Sequence, residues 1–504
     1  MLSPRQEFGW SWRYQSFAVP FIPVFAGEAA KLSLPECYTA AAPGLFCVAE
    51  CCGRTLEHTF PELKRMQLRS TVLLTLALAT SLIFAATRLT RTTPTEAAAE
   101  RFAAHDTTAY TLPPGKLVKA ITLNRKRMTL TVVATVWSLT ELVLILALGW
   151  VARMRDFAVR LSKSRWLQAY AFLLCFLLVI GLLNLPLSAY WHWVGLSYGL
   201  SVQGWGSWLA DKGKLLGIEW AGAGLMAMLM FWIIRKSPTR WWLWFWIPAV
   251  VVTVGSVWGA PYVFDPLFNQ FEPLAGSNPA LVEQLERVVA RGGLSIPPER
   301  MFLMKASAKS TELNAYVTGF GASKRVVVWD TTVARSSPDE IAMIFAHEMG
   351  HYALGHVVMG TAMGCVALLP FFWLGYHGVR LLLERYGAVW RIPGQDDWGA
   401  LVVLVLVLSA ISTITDPVDN GISRVIEHNA DVYGQEAVHG IVTDPQAVGR
   451  QSFQVLGEES LDDPTPHPLF EFWFYNHPSI RFRAAFAEAY DPWAPGAQPK
   501  YFAK

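Results

Sequence analysis

The chain is organised around the stretch Ser337-Pro-Asp-Glu340-Ile-Ala-Met-Ile-Phe-Ala-His347-Glu348-Met-Gly-His351. Ser337 suits the N-cap of a helix, and Glu340 at the third helical position completes a capping box. On that helix His347 and His351 stand one turn apart on the same face, so their imidazoles can converge on one cation. Glu348 lies between them and can hold a water on that cation. The spacing predicts a zinc site; two unrelated histidines are the alternative.

The composition favours a polytopic membrane protein. Apolar residues make up 53% of the chain and charged residues only 16%, with 22 tryptophans. A formal net charge of +3 is too small to indicate a nucleic-acid partner. Of six cysteines, Cys175 and Cys365 lie in apolar runs and are interpreted as packing residues, and the other four fit no zinc spacing.

Seven apolar runs approach the length of about 20 residues that crosses a bilayer. The predicted spans are 70–88, 129–152, 166–187, 214–234, 241–260, 357–379 and 398–416. The sequence therefore predicts a mostly α-helical membrane protein with a small α/β domain at one membrane face. Residues 1–65 lack periodicity, and we interpret them as an irregular extension, with Met66 as the expected biological start.

The spans divide the chain into further parts. We expect five transmembrane helices in 66–260, a metalloprotease domain in 261–356, two spans in 357–416 and a helical C-terminal segment in 417–504. By parity, the two extramembrane parts lie on the same membrane face and can share one site. A strand is predicted at 324–330, which either pairs with an extended peptide at a sheet edge or lies inside the sheet.

A catalytic zinc site usually has three protein ligands and one open position. Glu427 is the candidate third ligand, and Asp431 lies one turn further along the same helix face. Asp431 can accept a hydrogen bond from the second ring nitrogen of a zinc histidine. His428 competes as a ligand but points about 100° away from Glu427. A solvated acidic helix face is the alternative, and His356 is expected to leave the ligand face.

These motifs resemble those of the type I CAAX prenyl endopeptidases, a family of membrane-embedded zinc proteases. The resemblance rests on His347-Glu-Met-Gly-His351 followed by Ser423-Arg-Val-Ile-Glu427-His-Asn-Ala-Asp431. Further segments that match in the family's order are Phe264-Asp-Pro-Leu-Phe-Asn-Gln-Phe-Glu-Pro-Leu274, Asn314-Ala-Tyr-Val-Thr-Gly319, Ser323-Lys-Arg325, Asp330-Thr331 and His477-Pro-Ser-Ile-Arg481. The resemblance covers roughly residues 66–490, and seven spans also agree with the family.

The resemblance implies a role for each matching position. It implies one Zn²⁺ per chain bound by His347, His351 and Glu427, with Glu348 as general base and Asp431 as a second catalytic-site acid. It also implies that Asn314, His477 and Arg481 line the substrate cleft, and that the transmembrane helices enclose a chamber with the zinc at one end. We expect His477 to contact the oxyanion, with a structural hydrogen bond as the alternative. For Arg481 the alternative to binding a substrate carboxylate is an ion pair with a nearby acid. For Asn314 the alternative to binding the peptide backbone is shaping a turn.

The implied activity is zinc-dependent peptide hydrolysis at the lipid bilayer, with prenylated CAAX-type peptides or other membrane-associated chains as substrates. An HtpX-like quality-control protease of membrane proteins is one alternative, and an inactive polytopic scaffold or transporter is another. The first 65 residues have no counterpart in the family pattern, and the final Tyr501-Phe-Ala-Lys504 is no endoplasmic-reticulum retrieval signal. We therefore expect a bacterial inner membrane, with the catalytic face cytoplasmic, although Lys and Arg are nearly balanced between the two faces.

Overall fold

The computed structural model describes residues 109–319 and 324–503. The extension at 1–65, Met66 and the predicted span at 70–88 lie outside these residues. The helices of the first half are α1 (Pro114–Ala147), α2 (Trp150–Leu161), α3 (Arg165–Tyr198), α4 (Trp205–Lys236), α5 (Trp241–Val263), α6 (Asp265–Phe268), α7 (Leu274–Ser277) and α8 (Pro279–Arg291). Those of the second half are α9 (Asp330–Arg335), α10 (Pro338–Ala353), α11 (His356–Trp390), α12 (Ala400–Ala437), α13 (Pro445–Glu459), α14 (Pro468–Phe474) and α15 (Ile480–Ala489).

The described residues contain five helices that are long and apolar enough to cross a membrane, namely α1, α3, α4, α11 and α12. Helix α5 is apolar as well and corresponds to the predicted span at 241–260. Large apolar side chains such as Leu182 and Val366 are about two-thirds exposed on these helices, as expected for lipid-facing surfaces. The six helices pack in the order α1, α12, α11, α5, α4 and α3, and α3 returns to α1. The described spans therefore form a closed ring, which suits helices that enclose a chamber.

One end of the ring is filled by side chains. Trp241, Trp398 and Ile392 are almost fully buried there, in a cluster that also contains residues of α1, α3 and α4. The Trp241 indole donates to Gln395 at 3.1 Å, and Arg155 pairs with Asp397 at 2.9 Å beside it. This end is closed by tight packing and ion pairs. Helix α12 starts here at Ala400 and carries Glu427 near its opposite end, so the candidate site lies away from the packed end.

Helices α1 and α12 extend furthest beyond the predicted spans, and α3, α4 and α11 also exceed theirs. Helix α1 begins at Pro114, fifteen residues before the predicted start at 129. The prediction counted only apolar residues and so left out the charged first turns of the helix. Helix α12 is continuous from Ala400 to Ala437 and includes Pro417. The boundary predicted between 416 and 417 therefore falls inside one helix, and the last predicted span and the third candidate ligand share a rigid element.

A four-stranded sheet lies between α5 and the histidine helix α10. Its strands are β1 (Phe271–Pro273), β2 (Met301–Met304), β3 (Ala315–Thr318) and β4 (Arg325–Trp329), in the spatial order β1-β2-β4-β3. Strand β4, predicted at 324–330, is parallel to β2 and antiparallel to β3, so it lies inside the sheet. The edge strand that packs on α10 is β3.

The crossing of α10 and α12 positions the site, and two glycines allow it to be close. A Cβ at Gly434 would lie 2.9 Å from the backbone nitrogen of His347. A Cβ at Gly350 would lie 3.1 Å from the Cβ of Tyr433. Both contacts are tighter than ordinary van der Waals separation. The two helix backbones are therefore in contact near the positions that carry the candidate ligands.

The close crossing makes Gly434 sensitive to any side chain. Replacing Gly434 with Ala forces α12 away from α10, and we expect a loss of about 1–3 kcal/mol in the free energy of unfolding. Thermal unfolding in lipid nanodiscs measures this as a lower Tm. The matched control is Gly421→Ala on the same helix, where the nearest atom would be Arg424 Nη2 at 3.7 Å. Equal Tm values for the two variants would contradict the tight crossing.

Candidate metal centre

Three buried side chains converge where α10 crosses α12. His347 and His351 come from α10 and Glu427 from α12, and their ligand atoms form the one group of this kind found among the described residues. The two Nε2 atoms are 3.2 Å apart, and the Glu427 carboxylate oxygens lie 3.3 Å from His347 Nε2 and 3.5 Å from His351 Nε2. The capping box predicted at Ser337 and Glu340 is present and starts α10 in the register that aligns both histidines.

This geometry fits a tetrahedral cation. Ligand atoms about 2.05 Å from a tetrahedral zinc ion lie about 3.3 Å from one another, and the three separations here fall within 0.2 Å of that value. One oxygen of Glu427 and one of Glu348 are buried without a hydrogen-bond partner among the described residues. Two imidazoles and a carboxylate form a known catalytic zinc set that leaves one position for water. The residues present therefore fit zinc.

Asp431 and Arg483 stand behind the first histidine. Asp431 Oδ1 lies 2.8 Å from His347 Nδ1, which fixes the ring so that Nε2 faces the cluster. Arg483 donates to both oxygens of Asp431, at 2.6 and 2.9 Å. Its guanidinium also lies 4.5 Å above the ring of Phe453. All three charged or titratable groups are more than 90% buried, so each depends on the others for compensation.

Glu348 is poised for proton transfer. Its side chain is 3% exposed, with Oε1 3.9 Å from His347 Nε2. Burial raises the pKa of its carboxyl to about 7, although the imidazoles of His347 and His351 act in the opposite direction. A carboxylate with a pKa near neutrality can both accept and return a proton at physiological pH.

Two more histidines border the cluster. His477 lies in the loop between α14 and α15, with Nε2 3.3 Å from Glu427 Oε2, and its side chain is 24% exposed. His356 was expected to leave the ligand face, and it is not one of the three converging residues. It nevertheless begins α11 with Nδ1 3.2 Å from Nδ1 of His351, a contact that five-residue spacing along one helix does not predict.

The remaining predicted site residues are Asn314, Arg481 and the competing ligand His428. Asn314, just before β3, is 2% exposed, and neither Nδ2 nor Oδ1 of its side chain has a hydrogen-bond partner among the described residues. Arg483, two residues beyond Arg481 on α15, reaches Asp431. His428, the competing ligand, packs against Phe486 with ring centroids 4.7 Å apart.

Sequence reasoning missed Arg483, although α15 carries a signal for it. Ala484 and Ala487 are small residues at helical spacing, and both are buried. Arg483 is about 40° from Ala487 around the helix, whereas Arg481 is about 120° from Ala487 and lies at the border of the buried face. The buried-face pattern of α15 thus favours position 483 over position 481.

Comparison with known proteins places the whole arrangement in context. The family model described as peptidase family M48 matches residues 276–491, and the model described as the CAAX prenyl protease N-terminal region with five membrane helices matches residues 103–270. The chain is 32% identical to the uncharacterized metalloprotease YhfN of Bacillus subtilis, over 64% of this chain and 74% of the relative. It is 28% identical to a CAAX prenyl protease 1 homolog of Oryza sativa, over 66% of this chain and 75% of the relative.

A solved structure shares the fold. The crystal structure of S. mikatae Ste24p superposes with a TM-score of 0.68 at 23% sequence identity, and covers 85% of this chain and 99% of that chain. The similarity therefore extends over the ring of helices and the site-bearing part together.

The converging geometry predicts that His351 is needed to hold the metal. In purified His351→Ala protein we expect bound zinc, measured by elemental analysis, to fall from about one equivalent to near zero, because two ligands hold zinc far less tightly than three. The matched control is His428→Ala, which removes the neighbour of Glu427 and should retain the metal. Full occupancy in His351→Ala, or loss of metal in His428→Ala, would contradict this ligand set.

Proposed function

We propose, on the premise that the chain belongs to peptidase family M48, that His347, His351 and Glu427 hold one zinc ion per chain. The protein is a multi-pass membrane metalloendopeptidase that resembles the CAAX prenyl proteases. The observation that carries the zinc proposal is the convergence of three buried side chains at a crossing of two helices. The two Nε2 atoms are 3.2 Å apart, and each lies 3.3–3.5 Å from one oxygen of the Glu427 carboxylate. Such a site is suited to hydrolysis, because three protein ligands leave room for water.

The general base in this proposal is Glu348. When bound, zinc lowers the pKa of water to near 7 and polarises a carbonyl. Glu348 takes the proton from the attacking water and returns it to the leaving amine. Burial raises the pKa of its carboxyl, which favours its role as the proton acceptor.

The remaining groups orient His347 and stabilise the charges of the site and of the reaction. Asp431 holds His347 in the tautomer that presents Nε2, and Arg483 compensates the charge of Asp431. His477 borders Glu427 from the more open side, and we assign it the hydrogen bond to the oxyanion that forms on the scissile carbonyl.

The substrate proposal is an extended peptide whose C-terminal residues are removed, as the resemblance to the CAAX prenyl proteases suggests. Strand β3 is the sheet edge that packs on the histidine helix, so a peptide paired with β3 would run past the cluster. Asn314 precedes β3 with a buried carboxamide that lacks a partner among the described residues, and it is suited to bind a peptide backbone. Arg481 remains a candidate to bind a carboxylate of the substrate.

The proposed setting is a bacterial inner membrane with the site facing the cytoplasm. The similarity to a Bacillus subtilis metalloprotease supports a bacterial source. In that setting prenylated proteins are few, so quality control of membrane proteins is retained as the second candidate function.

The general-base assignment predicts the behaviour of Glu348→Gln. The substitution preserves size and should leave zinc bound, but cleavage should fall by about 10²–10⁴-fold because the proton acceptor is lost. Peptide cleavage and elemental analysis on the same preparation measure both effects. Glu488→Gln, an exposed carboxylate on α15, is the control and should behave as wild type. Wild-type cleavage by Glu348→Gln would refute the assignment.

The substrate proposal is tested with one pair of peptides. Purified protein in nanodiscs is given a prenylated CAAX peptide and its unprenylated counterpart, each with and without a zinc chelator. We expect cleavage that the chelator abolishes and added zinc restores, and a higher kcat/KM for the prenylated peptide. Equal rates on the two peptides would favour the quality-control alternative, and chelator-resistant or absent cleavage would refute the zinc peptidase itself.

A further inference from the structure

The loop that carries His477 follows a helix with little apolar packing. It follows α14, a seven-residue helix none of whose residues is buried, with Leu469 69% exposed. A helix this short leaves most of its terminal carbonyls without partners inside the helix. Some other interaction must therefore fix the end of α14 and, with it, the position of His477.

Arg424 supplies that interaction from α12. Its Nη1 donates to the carbonyl of Glu471 at 2.9 Å and to the carbonyl of Tyr475, the C-cap of α14. Asn420, one turn earlier, donates to the carbonyl of Trp473. A cation at a helix C-terminus also interacts favourably with the helix dipole. Arg424 Nη1 also donates to the carbonyl of Phe472 at 3.5 Å, so two side chains of α12 gather four carbonyls at the end of α14.

The same face of α12 carries the candidate ligand. Glu427 follows Arg424 by three residues, so the two side chains lie on one helix face. His477 is two residues beyond Tyr475, and its Nε2 reaches Glu427 Oε2 at 3.3 Å. On the far side of the loop, the backbone nitrogen of Ser479 donates to Glu471 Oε1 at 3.2 Å. The loop is thus closed between Glu471 and Ser479, with Arg424 at its base.

We propose that Arg424 is a positioning residue for the hydrolytic reaction: by clamping the carbonyls that end α14, it holds the His477 imidazole against Glu427. Arg424 itself touches neither substrate nor metal. The inference rests on the proposed function, because it assigns Arg424 its effect through His477 and the reaction at the zinc site.

The test is a double-mutant cycle between Arg424→Gln and His477→Ala, with cleavage of the prenylated CAAX peptide as the readout. Misplacing a catalytic group by about 1 Å can cost on the order of 10²-fold in rate. We expect Arg424→Gln to lower kcat by about that factor, with KM and bound zinc unchanged. In the His477→Ala background the same substitution should cost less than about threefold, because the group that it positions is gone.

Two further variants keep the test decisive if Arg424→Gln disturbs folding. Arg424→Lys retains a charged donor and should recover part of kcat, and Asn420→Ala should lower kcat in the same direction by a smaller factor. The control is Arg450→Gln, since Arg450 also donates to a backbone carbonyl, that of Ala109 at 3.4 Å, but away from the site. It should leave kcat unchanged.

The outcomes separate this inference from the function on which it rests. If the wild-type protein shows no chelator-sensitive cleavage, the proposed function fails. If it cleaves but Arg424→Gln costs the same factor in both backgrounds, or removes the zinc, then Arg424 does not act through His477 and the inference is overturned while the peptidase assignment stands.

Discussion

The structure depends on bringing two imidazoles and a carboxylate together in a buried space where α10 crosses α12. Burying three such groups away from water costs free energy unless a shared cation or proton compensates them. The crossing is close because Gly350 and Gly434 leave no side chains between the helices. The compensating groups are also local, since Asp431 accepts from His347 and is itself bound by Arg483. The fold therefore concentrates buried polar groups at one point and satisfies most of them within it.

Helix α12 links this point to the membrane. It runs without a break from the tightly packed end of the ring, through an apolar segment, to Glu427 and Asp431. A ligand on a spanning helix cannot shift without moving a wall of the ring. The same helix also holds the end of α14 through Arg424 and Asn420. The membrane span, the third candidate ligand and the end of the His477 loop are thus held by one helix, which suits a peptidase acting on membrane-associated chains.

The local chemistry of the site could be predicted from the sequence because it depends on helical spacing. The capping box at Ser337, the pairing of His347 with His351, and Asp431 one turn beyond Glu427 all follow from positions three or four residues apart. What could not be predicted depends on contacts between elements. Arg483 reaches Asp431 from another helix, and His356 reaches His351 across the break between α10 and α11. Helix lengths could not be predicted for a related reason: apolar composition ends at 416, whereas the backbone hydrogen bonding of α12 continues past Pro417.

The most direct test of this account is the coordination shell of the metal. Zinc K-edge X-ray absorption of the purified wild-type protein should show nitrogen and oxygen neighbours at about 2.0–2.2 Å, with the multiple scattering of two imidazoles and no sulfur at about 2.3 Å. A shell with one imidazole or none, or one containing a cysteine sulfur, would mean that the crossing of α10 and α12 does not hold the metal.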